Sequence, residues 1–270
     1  RDRCNRSVKF DHFITQAKKL NCDKVATGHY AKIIKKNNEF ELHKADYLDK
    51  DQSYVLHMLK SSDLENISFP LGEISKPEVR QIAARIGLKT AFKKDSQDIC
   101  FVGKKDYRSF VEKRIDLTSP GEIFDIEGNK VGNHNGIHEF TIGQRKGLPG
   151  GYGTPRYVTK INVQNKNVTI GEKKDLSVSS FIVEELSCVN DLEYKNLTIQ
   201  TRYNSEDLPC EIKKLSDTKV LVQLKEPAFG VAPGQFGVIY NGTKVVCGGR
   251  ISPKVLENIG WTRKMFEKLL

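Results

Sequence analysis

The hydrophobic and polar positions of the first third of the chain predict alternating helices and strands. An apolar set at helical spacing ends before Asn21, which can close a helix, and consists of Phe10, Phe13, Ile14 and Ala17. Residues 24–27 then predict a short buried strand that stops at Gly28. The alternating stretch "AKIIKKNNEFELHKA" predicts a hairpin that turns at Asn37-Asn38.

Two more helices are predicted before residue 90. In "DKDQSYVLHML" we expect Asp49 or Asp51 to cap a helix that carries Tyr54, Val55, Met58 and Leu59. The stretch "SKPEVRQIAARIGL" has a capping box, an early proline and a terminating glycine, at Ser75, Glu78, Pro77 and Gly87. We expect this second helix to present its apolar residues to a core, namely Val79, Ile82, Ala83 and Ile86.

The second half of the chain has a different pattern of apolar and polar residues. From Tyr157 onward, polar turns separate short apolar stretches such as "YVTKINV", "NVTIGE", "KVLVQL" and "GQFGVIY", which is typical of a small barrel or sandwich. Between the halves lie a predicted helix in "KKDYRSFVEKRI", a turn at residues 127–129 and a glycine-rich stretch. The final "WTRKMFEKLL" predicts a short helix or a frayed tail. The expected fold class is therefore α/β followed by β.

Composition adds a strong positive charge to this picture. The 270 residues are enough for two or three domains, and 38% apolar residues suit a folded core. Lys and Arg total 44 against 34 Asp and Glu, a net charge of +10. Such an excess favours a polyanionic partner, most often nucleic acid, although a solvated basic surface gives the same balance. Nine Lys and Arg against four Asp and Glu lie between residues 84 and 114, so half of the net charge surrounds Cys100.

The apolar runs and the cysteines indicate a reduced, cytosolic environment. No run approaches the roughly 18 apolar residues of a membrane helix and no leader precedes the fold, so we expect a cytoplasmic protein without a membrane partner. No C-x-x-C pair occurs among the six cysteines, and we expect no permanently bound metal. Cys4 and Cys100 sit in polar, basic surroundings that favour the thiolate. Apolar neighbours predict packing roles for the other four: Cys22, Cys188, Cys210 and Cys247.

Two glycine-containing stretches are candidate ligand sites. A strand that stops at Gly28-His29 fits a ligand bound beyond the carboxyl end of a strand, or else Gly28 only serves a turn. Arg145 and Lys146 lie between glycines in "GQRKG", where a loop can follow a phosphate backbone. The alternative is that this loop only tightens a turn within its domain.

Eight collinear motifs together resemble one family. They are "C-N" followed by "KF", then "ATGHY", "DKDQSYVL", "FPLGEISKPEVR", "KKDSQDICFVG", "TIGQRKGL", "TRY" and "APGQFGVIYNG". Over residue 4 to about residue 251, the chain resembles the tRNA-specific 2-thiouridylase family (MnmA/TrmU). The resemblance implies an ATP-pyrophosphatase-type α/β domain whose remainder is residues 1–104, a small central domain (105–171) and a C-terminal β-barrel (172–252), with a tail at 253–270.

The chemistry that the resemblance implies is sulfur transfer to tRNA. ATP, with Mg²⁺ expected, adenylates the C2 oxygen of the anticodon wobble uridine, and a persulfide on a cysteine replaces it. By motif match, Cys100 corresponds to the persulfide carrier, Cys4 to the partner nucleophile, and Gly28 to an ATP contact. A transient Cys4–Cys100 disulfide would release the sulfur. The implied partners are tRNA and a sulfur donor, either a persulfide carrier or a cysteine-desulfurase relay.

The same motif match implies a tRNA-binding surface. The matched positions are His29, Lys50, Asp51, Gln52, Arg202, Tyr203 and Gln235. With the "GQRKG" loop and the basic stretch around Cys100, we expect these residues to form one continuous surface that faces the RNA. Tyr203 would stack on a base, or else pack inside the barrel.

Two departures from the family pattern leave alternatives open. The family's S-G-G-x-D-S-type ATP loop is not in this sequence, so about a hundred family residues are expected to be missing, and the sequence as given is expected to be inactive and to bind ATP poorly. Arg1 stands where the family usually places an aspartate, and Asp2 lies one place later, so Asp2 receives no role. The alternatives are a non-catalytic tRNA-binding module and a redox sensor that uses only Cys4 and Cys100.

Overall fold

The computed structural model describes residues 10–93, 119–187 and 195–252. These residues divide into two compact units. The first contains residues 10–93 together with most of 179–252, and the second contains residues 119–178 and 228–231. The expected α/β part and the expected barrel therefore pack together in the first unit.

The α/β part of the first unit begins with α1 (Asp11–Lys19), which ends before Asn21 in the left-handed conformation (φ 52°). Strands β1 (Val25–Ala26) and β4 (Ile67–Ser68) pair in parallel. The predictions of a helix closing at Asn21 and of a strand that ends before Gly28 are confirmed. The expected burial of this strand is wrong, because Val25 is half-buried and Ala26 is exposed. Buried side chains from this part form one core: Phe10, Ala31, Leu42, Leu56, Leu59, Leu64, Ile67 and Phe69.

The predicted hairpin is also confirmed. It consists of β2 (Ala31–Lys36) and β3 (Glu39–Lys44), which pair antiparallel. Asn37 and Asn38 connect them with φ values of 48° and 66°. Two-residue turns of this hand match the twist of the strands, and asparagine tolerates positive φ better than most residues.

The helix predicted in "DKDQSYVLHML" is wrong. The structure instead has two short 3₁₀ helices, Leu48–Lys50 and Ser53–Leu56, followed later by the short helix α2 (Ser61–Leu64). Asp51 lies between the two 3₁₀ helices (ψ 135°), and it is not the N-cap residue of either. Tertiary contacts of Asp51 and Gln52 outweigh the helical spacing, which is a weak determinant over so few residues.

Helix α3 (Lys76–Arg85) begins as predicted but is not buried as predicted. Ser75 caps it, because its Oγ accepts from the Glu78 backbone N–H while Glu78 Oε2 accepts from the Ser75 N–H at 2.9 Å. Ile82 and Ile86 are nevertheless 41% and 65% exposed, and no residue of α3 is buried. A capping box fixes where a helix begins, whereas burial of its apolar side requires a neighbouring element.

The barrel contains six strands that close on themselves. In order around the barrel they run β13, β10, β11, β12, β9 and β14, and β14 pairs with β13. The bounds are Ser177–Glu184 (β9), Leu197–Gln200 (β10), Leu208–Ser216 (β11), Lys219–Phe229 (β12), Phe236–Asn241 (β13) and Lys244–Ile251 (β14). Hairpin strand β3 extends this sheet at β14, with His43 opposite Lys244. The barrel alternative is confirmed over the sandwich.

The second unit contains a four-stranded sheet in the order β6, β5, β8, β7, with β5 and β8 parallel. Its strands are Gly121–Phe124 (β5), Lys130–His134 (β6), Tyr157–Asn162 (β7) and Asn167–Gly171 (β8). The turn predicted at residues 127–129 is confirmed, with Gly128 at φ 89° and the Asp125 carboxylate accepting from the Asn129 N–H at 2.7 Å. The helix predicted in "KKDYRSFVEKRI" and the final "WTRKMFEKLL" lie outside the described residues.

The packing predictions for cysteine hold for two residues and fail for one. Cys210 and Cys247 are buried, and burial raises the pKa of the Cys210 thiol to about 12. Cys22 is exposed, because it follows α1 in the turn that the left-handed Asn21 creates. Cys188 lies outside the described residues.

Among the described residues, no helix is long and apolar enough to cross a membrane.

Candidate nucleic-acid interface

The end of β1 places Gly28 and His29 beside the core. Gly28 does not adopt a left-handed conformation, so turn geometry does not require glycine there. A Cβ at Gly28 would contact only the Leu71 side chain, at 3.6 Å, so the backbone is open to an approaching group. The His29 ring packs against Phe10 and Phe69, and its Nδ1 lies 2.9 Å from Thr27 Oγ1. The structure therefore shows free space beside the Gly28 backbone and no turn that requires glycine there.

Gln52 joins the segment of residues 48–52 to this strand end. Its backbone N–H donates to the Tyr30 carbonyl at 2.7 Å, and its Oε1 accepts from the Tyr30 N–H at 3.0 Å. Tyr30 directly follows His29. The structure therefore brings together two stretches, one around His29 and one at Lys50 to Gln52, that sequence reasoning took from separate motifs.

Asp51 is buried inside the 48–52 segment. Its Oδ1 accepts from the Ala45 N–H at 2.8 Å and the Ser53 N–H at 3.3 Å, and its Oδ2 accepts from Ser53 Oγ at 2.6 Å. Burial raises the pKa of this carboxyl, although hydrogen bonds from Ser53 and Ala45 oppose the shift. The sequence match named Asp51 as a tRNA contact, but its carboxylate is used internally to shape the segment.

A cavity of about 590 Å³ lies between the 48–52 segment and the loop of residues 201–207, which joins β10 to β11. Tyr54 and Tyr203 line it, with ring centroids 6.2 Å apart, and Tyr203 is 40% exposed. Tyr203 therefore lies on a cavity wall rather than inside the barrel. Arg202, the preceding residue, is exposed in the same loop.

Gln235 lies next to the same region. It is exposed, in the turn that follows Gly234 (φ 80°), and it precedes Phe236. The Phe236 carbonyl accepts from the Tyr54 hydroxyl at 2.9 Å. Three of the four chain regions that hold predicted residues of the first unit, those of Gln52, Tyr203 and Gln235, thus meet near Tyr54. Gln52 links them to the fourth region, at His29, through the Tyr30 backbone.

In the second unit, Arg145 and Lys146 are exposed in a tight turn. Gly143 and Gly147 flank them with φ values of 84° and 77°. Gln144 braces the turn, since its Oε1 accepts from the Thr141 N–H and its Nε2 donates to the Lys146 carbonyl, each at 3.0 Å. The turn and the phosphate-contact interpretations are therefore compatible, because the bracing leaves both cationic side chains outside.

Sequence reasoning missed Lys44 and Asp207. Lys44 is 6% exposed, and its Nζ lies 2.7 and 2.6 Å from the two carboxylate oxygens of Asp207. Nothing in the alternation of β3 distinguishes Lys44 from an ordinary strand lysine, so the local sequence contains no signal for this contact. Cys4 and Cys100, the two predicted catalytic residues, lie outside the described residues. Within the described ranges, no group of three or more His, Cys, Asp or Glu side chains forms a metal site.

Three family models match the chain and define its class. They are the tRNA methyl transferase HUP domain over residues 2–104, the tRNA methyl transferase PRC-barrel domain over 108–172 and the aminomethyltransferase beta-barrel domain over 178–251. The protein is thus built from a HUP-type α/β domain, a central PRC-barrel domain and a C-terminal β-barrel. The expected fold class is confirmed.

Similarity to individual proteins identifies the family of this chain. The chain is 41% identical over 257 residues to the tRNA-specific 2-thiouridylase MnmA of Rickettsia prowazekii, covering 93% of this chain and 72% of that protein. It is 40% identical over 254 residues to the MnmA of Chloroflexus aurantiacus, with 92% and 71% covered. The chain belongs to the MnmA family of tRNA-specific 2-thiouridylases.

Proposed function

We propose that the protein is a tRNA 2-thiouridylase that uses ATP to place sulfur at C2 of the anticodon wobble uridine, in the cytoplasm. One observation carries the RNA-binding part of this proposal. The 48–52 segment and the loop that carries Arg202 and Tyr203, which are distant in sequence, border one cavity. Tyr54 and Tyr203 line this cavity together with several carboxylates, so aromatic side chains that can stack on bases, and not a positive lining, support RNA binding there. Membership of the MnmA family supports the reaction.

The residues near β1 fit a nucleotide. Gly28 offers open backbone at the carboxyl end of a parallel strand, which is where α/β sheets bind ligands. ATP, expected as its Mg²⁺ complex, supplies the adenylyl group that converts the uridine oxygen into a leaving group. His29 follows Gly28 directly, and its packing between Phe10 and Phe69 fixes the ring at this position.

The sulfur step assigns roles to two cysteines. Cys100 would carry the persulfide, whose terminal sulfur attacks C2 as AMP departs. The Cys4 thiolate would then attack the Cys100 sulfur, so that a disulfide forms and the terminal sulfur stays on the base. A cellular thiol reductant would restore both thiols, and a persulfide donor would reload Cys100. The lysines around Cys100 favour the anion that this chemistry requires.

The test is nucleoside mass spectrometry of tRNA from cells whose copy of the protein carries Cys100→Ser. We expect 2-thiouridine to disappear, whereas Cys22→Ser, which alters an exposed cysteine with no proposed role, leaves it unchanged. Full thiolation by the Cys100→Ser protein would refute the persulfide assignment. Unchanged 2-thiouridine in cells that lack the protein, combined with tRNA binding in vitro, would favour the non-catalytic binding module.

A further inference from the structure

Lys44 connects the β2–β3 hairpin to the barrel. It is the last residue of β3, and its backbone N–H donates to the Thr243 carbonyl at 2.8 Å, just before β14. Its side chain is buried, with the ammonium 4.2 Å from the centroid of the Tyr240 ring on β13. A buried ammonium is stable only when a partner compensates its charge.

That partner is Asp207, at the end of the 201–207 loop. Both Asp207 oxygens accept from Lys44 Nζ, and Oδ1 also accepts from Gln200 Nε2 at 2.8 Å. Gln200 is the last residue of β10, and Leu208 begins β11. Asp207 therefore closes the base of the loop and ties it to the hairpin through the ion pair, which we call the Lys44–Asp207 clamp.

The 48–52 segment is attached to the same aromatic ring. The Tyr240 hydroxyl lies 3.2 Å from Ser53 Oγ, and Ser53 Oγ donates to Asp51 Oδ2. The face of the Tyr240 ring thus contacts Lys44 of the clamp, and its hydroxyl contacts Ser53, which in turn bonds to Asp51 of the 48–52 segment. Both walls of the cavity are therefore attached to Tyr240.

We propose that Lys44 and Asp207 are positioning residues for tRNA binding, which hold Arg202 and Tyr203 opposite the 48–52 segment. This inference rests on the proposed function, because it needs RNA at the cavity. An exposed loop that becomes ordered only on binding loses side-chain and backbone freedom at that moment, and the affinity falls accordingly. The clamp removes that entropy cost beforehand.

The experiment compares tRNA affinity in the variant Lys44→Met/Asp207→Asn with the wild type. The double change removes both charges of the pair at once, so neither partner is left as an unpaired buried ion, and the asparagine amide oxygen introduced by Asp207→Asn can still accept from Gln200. The buried Asp51 carboxyl, which also interacts with the Lys44 charge, keeps its hydrogen bonds from Ala45 and Ser53. We expect binding about tenfold weaker, from renewed freedom of two long side chains and their loop. The unfolding temperature should stay within about 3 °C of wild type.

A second comparison separates positioning from general damage. In the background Arg202→Ala/Tyr203→Ala, the clamp variant should cause no further loss of affinity, since the side chains that it positions are gone. A loss that adds fully to that of Arg202→Ala/Tyr203→Ala would overturn the proposal. The matched control is Lys214→Met/Asp217→Asn, which makes the same changes at an exposed barrel pair and should bind tRNA as wild type does.

The outcomes also distinguish this inference from the proposed function. A wild-type protein that does not bind tRNA contradicts both. A wild type that binds tRNA, together with a clamp variant of equal affinity, contradicts only the clamp. The variant Lys44→Arg should keep most of the tRNA affinity of the wild type, because a guanidinium can pair with Asp207 and stack on Tyr240.

Discussion

At the scale of single residues, burial decides which side chains of a binding motif can face a ligand. Lys50, Asp51 and Gln52 are adjacent, yet the Asp51 carboxylate accepts hydrogen bonds from Ala45 and Ser53, and Gln52 pairs with the Tyr30 backbone. A motif can therefore require a residue because it shapes the loop. Gly28 shows the converse, since neither its backbone conformation nor its surroundings in the fold require glycine, which leaves an approaching ligand as the reason for it.

Substitution of Asp51 tests this structural role. Asp51→Ala should lower the free energy of unfolding by about 2–3 kcal/mol, because it leaves buried N–H groups of Ala45 and Ser53 without an acceptor. Asp51→Asn retains one carbonyl acceptor and should cost about half as much. Urea denaturation of both variants measures the difference. Equal stability of wild type and Asp51→Ala would contradict the role.

The raised pKa of Asp51 also predicts how the stability of the protein depends on pH. Burial raises the pKa of Asp51 in the folded state, so the folded protein holds this proton more tightly than the unfolded chain. The carboxyl therefore stabilises the protein increasingly as pH falls through its raised pKa, and this gain is complete below the ordinary value of 3.8. From pH 7 downward, wild type should gain stability relative to Asp51→Asn. A difference that does not change with pH would contradict the direction.

At the scale of elements, the turn of residues 143–147 exposes two cationic side chains that its own hydrogen bonds do not require. Gln144 holds the turn, so Arg145→Ala/Lys146→Ala should leave folding unchanged. If both side chains contact phosphate, the slope of log affinity for tRNA against log salt should become shallower by about two units. The control is Lys130→Ala/Lys160→Ala, which removes two exposed strand lysines of the same unit. Identical affinity and slope in the loop variant and wild type would exclude the loop from the RNA surface.

At the scale of the whole molecule, the net charge of +10 sets how association responds to salt. Release of counterions from tRNA phosphates should make the affinity fall log-linearly, with a slope of about −0.7 to −0.9 per phosphate contact. Filter binding or fluorescence anisotropy at several salt concentrations, from about 50 to about 200 mM, measures this slope. An affinity insensitive to salt would favour the solvated-surface interpretation of the charge.

The sequence by itself was sufficient for features that depend on neighbouring residues. The Asn37-Asn38 hairpin, the Ser75 capping box, the end of α1 at Asn21 and the turn around Gly128 follow from the conformational preferences of a few adjacent residues. The strands of the barrel follow from alternation, and eight collinear motifs identified the family that the comparisons confirm. These signals are local or collinear, and a sequence displays both directly.

Tertiary structure decided the rest. Helical spacing at "DKDQSYVLHML" gave way to 3₁₀ turns because Asp51 and Gln52 bond to Ala45 and Tyr30, and the apolar side of α3 remained exposed although its cap was correct. The pairing of Lys44 with Asp207 joins residues 163 positions apart. Local propensities contain no information about such contacts, because the free energy of a buried charge or hydrogen bond depends on which partner the completed fold brings within reach.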